Sequence, residues 1–274
     1  MALPVALQVY SVRDDAARDF VGTMRAIREM GYDGVEFAGL YGHSADYVKG
    51  VIDALGLFPI SAHVPLSEML ADPDKTFENY KKIGCPFVAV PYLPAELRPG
   101  TDRFEETVKN IARLGETAKK YEIDLLYHNH DFEFIKLDGE YGLDRLYREI
   151  PSSLLQTELD TCWVKVGGEE PAPFLMKYAG RAPVVHLKDF FMQGKLDSHP
   201  YALIGMEDTE KKPEKSVFEF RPLGKGMQDL PSLLDASVKA GAKWVVVEQD
   251  QPSMGLSALE SVKVSREELK KLGW

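Results

Sequence analysis

The stretch Leu126-Tyr127-His128-Asn129-His130-Asp131-Phe132-Glu133 spends two of the chain's six histidines, with two carboxylates, beside an apolar run. Imidazoles and carboxylates are donors for Mn2+, Zn2+, Co2+ and Fe2+, and they are also the side chains that move protons in acid–base catalysis. Side chains alternate along a strand, so His128 and His130 share a face there. The same spacing joins Glu158 to Asp160 and His186 to Lys188. More polar groups close short apolar runs: Gln8, Glu36, His63, and Glu248 with Asp250. A charged group at the end of a buried strand is costly unless it is paired or holds a cation. If these faces point inward, two or three imidazoles and several carboxylates converge on one axis. Such a mixed nitrogen and oxygen set suits Mn, Zn, Co or Fe better than Ca2+.

Each residue also has a plain structural reading. His63, after Ser61-Ala62, can be a satisfied core histidine, Glu36 a helix cap or an acceptor of a backbone amide, and Asp160-Thr161 an N-cap or Asx turn. Glu248-Gln249-Asp250 can be solvated loop charge. It is the coincidence of all of them at strand ends that favours chemistry.

The frame that must position these groups follows from apolar periodicity. Strands are predicted at residues 5–10, 34–38, 58–64, 86–91, 123–130, 154–160, 182–188 and 243–248. Helices are predicted at 16–30, 45–55, within 74–83, at 104–121, 142–149, 171–178, 230–240 and within 258–272. Strands that alternate with helices join through right-handed crossovers into a parallel sheet covered by helices. Eight such units in 274 residues predict a closed (β/α)8 TIM barrel, α/β in class, as a single domain over 1–274. The competing fold is an open doubly wound sheet. Its dinucleotide fingerprint is missing, because the first strand-to-helix turn, Val9-Tyr10-Ser11-Val12-Arg13-Asp14, holds no glycine, and no GxxxxGK[ST] loop occurs. In a barrel the chemistry sits at the C-terminal ends of the strands, where the polar residues above fall. Residues 190–228 form one long interruption rich in Gly and Pro, read as a lid over the mouth, with Arg221 placed to meet an acidic or phosphorylated substrate.

Composition removes several classes of function. A formal charge of −10 argues against a nucleic-acid backbone or an anionic membrane surface as partner. No apolar run reaches the ~20 residues that span a bilayer, and no basic leader precedes the first strand, so the expected location is cytoplasmic. Cys85 and Cys162 lack the close partner that a zinc knuckle or redox pair needs, and they read as buried free thiols.

With these residues in view, the chain resembles the sugar phosphate isomerase/epimerase superfamily, the xylose isomerase-like barrels. The likeness covers nearly the whole chain and rests on Leu7-Gln8-Val9-Tyr10-Ser11-Val12-Arg13, Gly34-Val35-Glu36-Phe37, Ser61-Ala62-His63, Leu159-Asp160-Thr161, His186-Leu187-Lys188-Asp189 and Val247-Glu248. The resemblance implies a divalent metal held by a Glu, an Asp, a His and a second Glu. The last three fall on Asp160, His186 and Glu248. The first Glu is the departure, since His128 stands in its place, in a His-rich strand similar to that of the 2-keto-myo-inositol dehydratase branch. In the ketose epimerase branch the two metal-bound glutamates stand on opposite faces of the substrate and exchange its proton. That scheme does not transfer intact with His128 in the set, although Glu133 or Glu158 is available to supply the missing carboxylate. Barrels of this superfamily are often dimers or tetramers, which implies a homo-oligomer.

The expected chemistry is metal-assisted proton abstraction next to a carbonyl of a small carbohydrate. Glu248 or Glu158 takes the proton, and His130 or Lys188 returns one or steadies the oxyanion. Gln8, Glu36 and His63 hold sugar hydroxyls, and Trp163 or Phe132 forms an apolar wall. Proton return to the opposite face gives epimerisation, return to the neighbouring carbon gives isomerisation, and loss of a β-hydroxyl gives dehydration. An isomerase or epimerase stands first, a dehydratase or other lyase on a keto-inositol or keto-sugar second, and a non-catalytic sugar-binding barrel third.

Overall fold

Short aliphatic runs flanked by polar turns form eight parallel strands: β1 Val5–Gln8, β2 Gly34–Ala38, β3 Phe58–His63, β4 Phe87–Val90, β5 Asp124–His128, β6 Gln156–Asp160, β7 Val184–Leu187 and β8 Trp244–Val247. They pair in the cyclic order β1-β8-β7-β6-β5-β4-β3-β2, so the sheet closes into the (β/α)8 barrel that the alternation predicts. The computed structural model describes residues 2–194 and 217–274. Helices shield the outer face. The longest, Phe104–Lys120, buries Phe104, Val108, Ile111, Leu114 and Ala118, which is one stripe at helical spacing. Gly31 (φ 92°) and Gly84 (φ 103°) end their helices in left-handed backbone, open to a residue without Cβ, and the chain turns there toward its next strand.

Inside the barrel, alternation sorts the side chains into layers. The lower layer is apolar and packs Ala6, Ile60, Phe87, Ala89, Leu126, Val184 and Val246 with Trp244. Two residues further along β1, β5, β7 and β8 the inward positions become Gln8, His128, His186 and Glu248. β3 breaks this phase. Its pairing with β2 shifts between Val35 and Glu36, which leaves Ile60 as an extra residue. Ile60 packs in the lower layer, Ala62 joins the outer core under the helices, and His63 turns to the axis. Unbroken alternation from Ile60 would put Ala62 at the axis and send His63 outward.

Several boundaries depart from the periodicity. β1 stops at Gln8, whose side chain accepts from Tyr10 N (3.0 Å) and starts the 3-10 turn Val9–Val12. The helix expected over 16–30 is two helices, Arg13–Arg18 and Phe20–Met30. Asp19 leaves helical backbone and caps the second through Gly22 N (2.9 Å), the usual competition of an Asp side chain with the helix ladder. β5 ends at His128 instead of continuing to residue 130, because Asn129 turns its side chain onto the end of β6. Short helices Leu66–Ala71 and Thr161–Val166 also form at the mouth. Cys85 and Cys162 are buried and free. No helix among the described residues is long and apolar enough to cross a membrane.

The expected lid is an antiparallel ribbon at its described ends, Asp189–Gln193 against Val217–Arg221. Its middle, 195–216, lies outside the described residues. Asp189 ties the base of the ribbon. Its carboxylate accepts from the backbone amides of Phe190 (2.9 Å), Gly224 (3.0 Å), Gly226 (3.0 Å) and Gln228 (3.1 Å). A Cβ at Gly226 would come within 2.1 Å of Asp189 Oδ1, so the fit admits no side chain there. Asp189→Ala strips four amides of one acceptor and is expected to lower the unfolding free energy by about 3 kcal/mol in a urea titration. A loss below about 1 kcal/mol would mean that water replaces the carboxylate there without consequence.

Candidate metal centre

β5, β6, β7 and β8 are consecutive around the barrel, and at their C-terminal ends stand His128, Asp160, His186 and Glu248. Each offers one donor atom, all four lie within 4.8 Å of one another, and all four residues are buried. His128 Nε2 is 3.3 Å from Asp160 Oδ2 and 3.7 Å from Glu248 Oε2. Those separations are near the ~3.4 Å edge of a tetrahedron with bonds of about 2.1 Å. His186 Nδ1 lies 2.9 Å from Glu248 Oε2, a hydrogen bond that a cation would replace. Two imidazoles with two carboxylates therefore fit a divalent cation in both spacing and charge.

The surroundings hold these donors in place. Asp160 Oδ1 accepts from Cys162 N (2.8 Å) and Trp163 N (3.0 Å), capping the helix Thr161–Val166, while Oδ2 faces His128 and Lys188. Capping and an inward-facing oxygen thus coexist in one carboxylate. Asn129 Oδ1 accepts from Asp160 N (3.0 Å), fixing the end of β5 to the end of β6. His186 donates from Nε2 to Glu36 Oε2 (2.7 Å), and Gln8 Nε2 donates to the same oxygen (2.8 Å). A carboxylate behind an imidazole sets the ring's orientation in this way at many metal sites. His63 donates to Glu158 Oε2 (2.6 Å).

These pairings revise three expectations. Gln8 and Glu36, expected to hold sugar hydroxyls, and Glu158, expected as a base, are wholly buried below the cavity and do not line it. Glu36, His63, Glu158 and His186 are also spaced to hold a cation, one layer deeper. Only the outer set opens on the cavity through both His128 and Glu248. Glu133 is not a donor to either set: one oxygen accepts from Tyr127 OH (2.6 Å) and the other from His130 N (2.8 Å).

The cavity encloses about 360 Å3 and is lined by His63, His128, His130, Lys188, Glu248 and Asp250, with Tyr10 and Tyr92 on its walls and Glu68 at the exposed rim. Sequence reading names neither tyrosine as a site residue, because each lies past a strand end and only the closed barrel turns it toward the cavity. Trp163, expected as a wall, backs the site instead. It is wholly buried, 5.0 Å from the His130 ring and 5.5 Å from Lys188 Nζ. Phe132 stacks on His130 at 5.6 Å. Arg221 lies on the ribbon, paired with Glu219 at 2.5 Å, and does not line the cavity.

Charge in the site is balanced internally. Burial opposes charge on His128, yet Asp160 and Glu248 outweigh it and push its pKa up to about 9. Burial also opposes charge on His186 and Lys188, and their carboxylate neighbours likewise hold both well above their ordinary values. Burial would raise Glu248, but Lys188 and His128 keep it well below the usual carboxylate range. His130 goes the other way. Burial first, then His128 and Lys188, hold it well below the ordinary imidazole value, so it is neutral at pH 7.

A family model described as xylose isomerase-like TIM barrel matches residues 24–272. Among curated proteins the chain is similar to inosose dehydratase of Lacticaseibacillus casei, 24% identical over 151 residues, which are 55% of this chain and 48% of that protein. The match thus spans about half the length of that relative. Among solved structures it is similar to a sugar phosphate isomerase/epimerase from Parabacteroides distasonis ATCC 8503, with a TM-score of 0.79, 20% identity and 98% of each chain covered. It is also similar to an IolI protein with a bound zinc atom, with a TM-score of 0.71, 16% identity and 98% of each chain covered. At these identities the two structures show a shared fold.

Glu133 supplies a test of the turn that carries His130. Burial pushes its pKa up to about 7 against the hydrogen bonds from Tyr127 and His130. The folded protein then binds this proton more tightly than the unfolded chain does. Its contribution to stability is full below about pH 4.5 and is lost as pH rises through about 7. Urea titrations should show the wild type losing roughly 2.5 kcal/mol relative to Glu133→Gln between pH 5 and pH 8. A difference that stays constant over that interval would mean the carboxylate is already ionised at its lower end.

Proposed function

The chain belongs to the xylose isomerase-like TIM barrel family, and we propose that within it the protein is a divalent-metal-dependent enzyme that removes a proton next to a carbonyl of an uncharged sugar or cyclic keto-polyol and then expels a β-hydroxyl as water. His128, Asp160, His186 and Glu248 would hold the cation. When bound, it supplies Lewis acidity at a carbonyl oxygen and stabilises the negative charge that develops there.

The observation that carries this reading is the one-sided placement of the cavity's inner carboxylates. Glu248 and Asp250 both follow β8, whereas His128 ends β5 and His130 follows it across the mouth, and Glu158 is sealed beneath His63. Epimerisation by two carboxylates needs one on each face of the substrate. A single carboxylate suffices for elimination. Glu248 takes the proton as the C–H bond breaks, the electron pair forms the enediolate, and the β C–O bond then breaks as the departing oxygen takes that proton and leaves as water. Lys188 donates toward the developing oxyanion, and His130 and Tyr92 confine the substrate from the far side. The sequence alone places isomerisation or epimerisation first. The geometry, together with a relative named for a dehydratase, moves elimination ahead of them.

Lack of substrate charge follows from the lining. Among the described residues the cavity's one Lys or Arg is Lys188, whose ammonium is already paired with three carboxylates. That ammonium is the one assigned to the oxyanion, so a phosphate would find no second side-chain cation in this lining and would face Glu248 and Asp250.

Metal analysis of the purified protein should find a bound divalent ion, and Asp160→Asn and His186→Ala should each lose it with the fold intact. The Asn variant keeps the oxygen that caps Thr161–Val166. Incubation in D2O with keto-inositols and unphosphorylated keto-sugars should show solvent hydrogen at the carbon beside the carbonyl and a dehydrated product. Isomer without dehydration would replace the elimination step, and full metal retention by both variants would remove the proposed ligand set.

A further inference from the structure

Lys188 is wholly buried at the end of β7, with its ammonium over the rings of Trp163 and Phe220, each at 5.5 Å. Nζ lies 2.8 Å from Glu248 Oε2, 3.3 Å from Asp160 Oδ2 and 2.9 Å from Asp250 Oδ2. The first two atoms are the same oxygens that His128 Nε2 approaches and that the proposed cation would use. An ammonium and a divalent ion cannot share those lone pairs at these distances without strong repulsion, because two cations a few ångströms apart in a buried site are poorly screened. Only the third partner, Asp250, lies outside the ligand set.

We infer that Lys188 is a built-in cation that holds Asp160 and Glu248 while the metal is away, and that Asp250 is the positioning residue that receives its ammonium when a divalent ion takes those oxygens. The inference rests on the ligand set proposed above. Asp250 is itself fixed from two sides by the first strand-to-helix turn. Arg13 Nη1 donates to the Asp250 carbonyl (2.7 Å) and to that of Tyr10 (2.9 Å), and Ser11 Oγ accepts from Gln249 N (3.0 Å). These bonds fix the backbone that carries the Asp250 carboxylate, which gives the ammonium a second berth at no greater distance than its contact with Asp160. In that berth Lys188 lines the cavity beside Glu248 and faces substrate.

Co2+ alone, titrated into metal-free protein and followed by calorimetry and by its visible absorption, separates the possibilities without any activity assay. Lys188→Met removes the competitor and should tighten Co2+ binding at least about tenfold, while the metal-free variant melts below metal-free wild type. Asp250→Asn removes the berth and should weaken Co2+ binding by about tenfold or more. In the double variant Asp250→Asn should change affinity less than about twofold, because nothing is left to be received. Lys188→Gln repeats the comparison should the Met variant not hold its fold by circular dichroism. Unchanged affinity in both Lys188 variants overturns the competition. An equal effect of Asp250→Asn with and without Lys188 overturns the berth. Failure of the wild type to bind Co2+ overturns the ligand set itself, and this inference with it.

Discussion

Five carboxylates, Glu36, Glu158, Asp160, Glu248 and Asp250, are buried at the mouth of one barrel, and the need to answer their charge governs the rest of the site. Isolated ions cannot persist in such surroundings, so each must meet a cation or a donor. Glu36 meets His186 and Gln8, Glu158 meets His63, and Lys188 meets the remaining three. The rings of His63, His128 and His186 stand only 4.7 to 5.4 Å apart. Carboxylates border each of the three. The same arrangement leaves a divalent ion a natural place, because it can take over the positive charge that the imidazoles of His128 and His186 carry in its absence.

The barrel makes this concentration of charge tolerable by separating it from the hydrophobic work. Below the charged layer lies an apolar plug, and outside the sheet a continuous core packs the helices, so the apolar packing and the polar layer occupy separate places. The boundary between plug and charge is a single step of two residues along most strands, from Leu126 to His128 or from Val246 to Glu248. A substitution in the mouth therefore acts on charge balance, whereas one in the plug acts on packing.

Much of this is legible in the sequence, for a physical reason. Period-two alternation and helical spacing are local, so the eight units, the closed barrel and the polar strand ends follow from short windows. What is not legible is depth along the barrel axis. Glu158 and Asp160 share a face of β6, yet one is sealed under His63 and the other reaches the outer donor set, a difference fixed by the stagger between neighbouring strands. Gln8 and Glu36 lie equally deep for the same reason. The bulge at Ile60 is also silent, since nothing in Phe58-Pro59-Ile60-Ser61-Ala62-His63 announces that pairing with β2 will slip. Arg221 reads as free charge until the ribbon forms and sets Glu219 beside it.

The histidine-rich stretch is clarified by the same accounting of charge. Its three central residues divide the labour: His128 faces Asp160 and Glu248, Asn129 fixes the ends of two strands together, and His130 lies between Phe132 and Trp163 at the cavity wall. A glutamate at position 128 would add a further buried carboxylate and give the donor set three negative charges against a divalent ion. With His128 the set carries two, which a divalent ion neutralises, and Lys188 remains to balance Asp250. A neutral centre holds the ion less by charge and more by geometry, which leaves its Lewis acidity less quenched by its own ligands. In the function proposed above, an imidazole at position 128 leaves Glu248 as the carboxylate that faces a neutral His130 across the mouth.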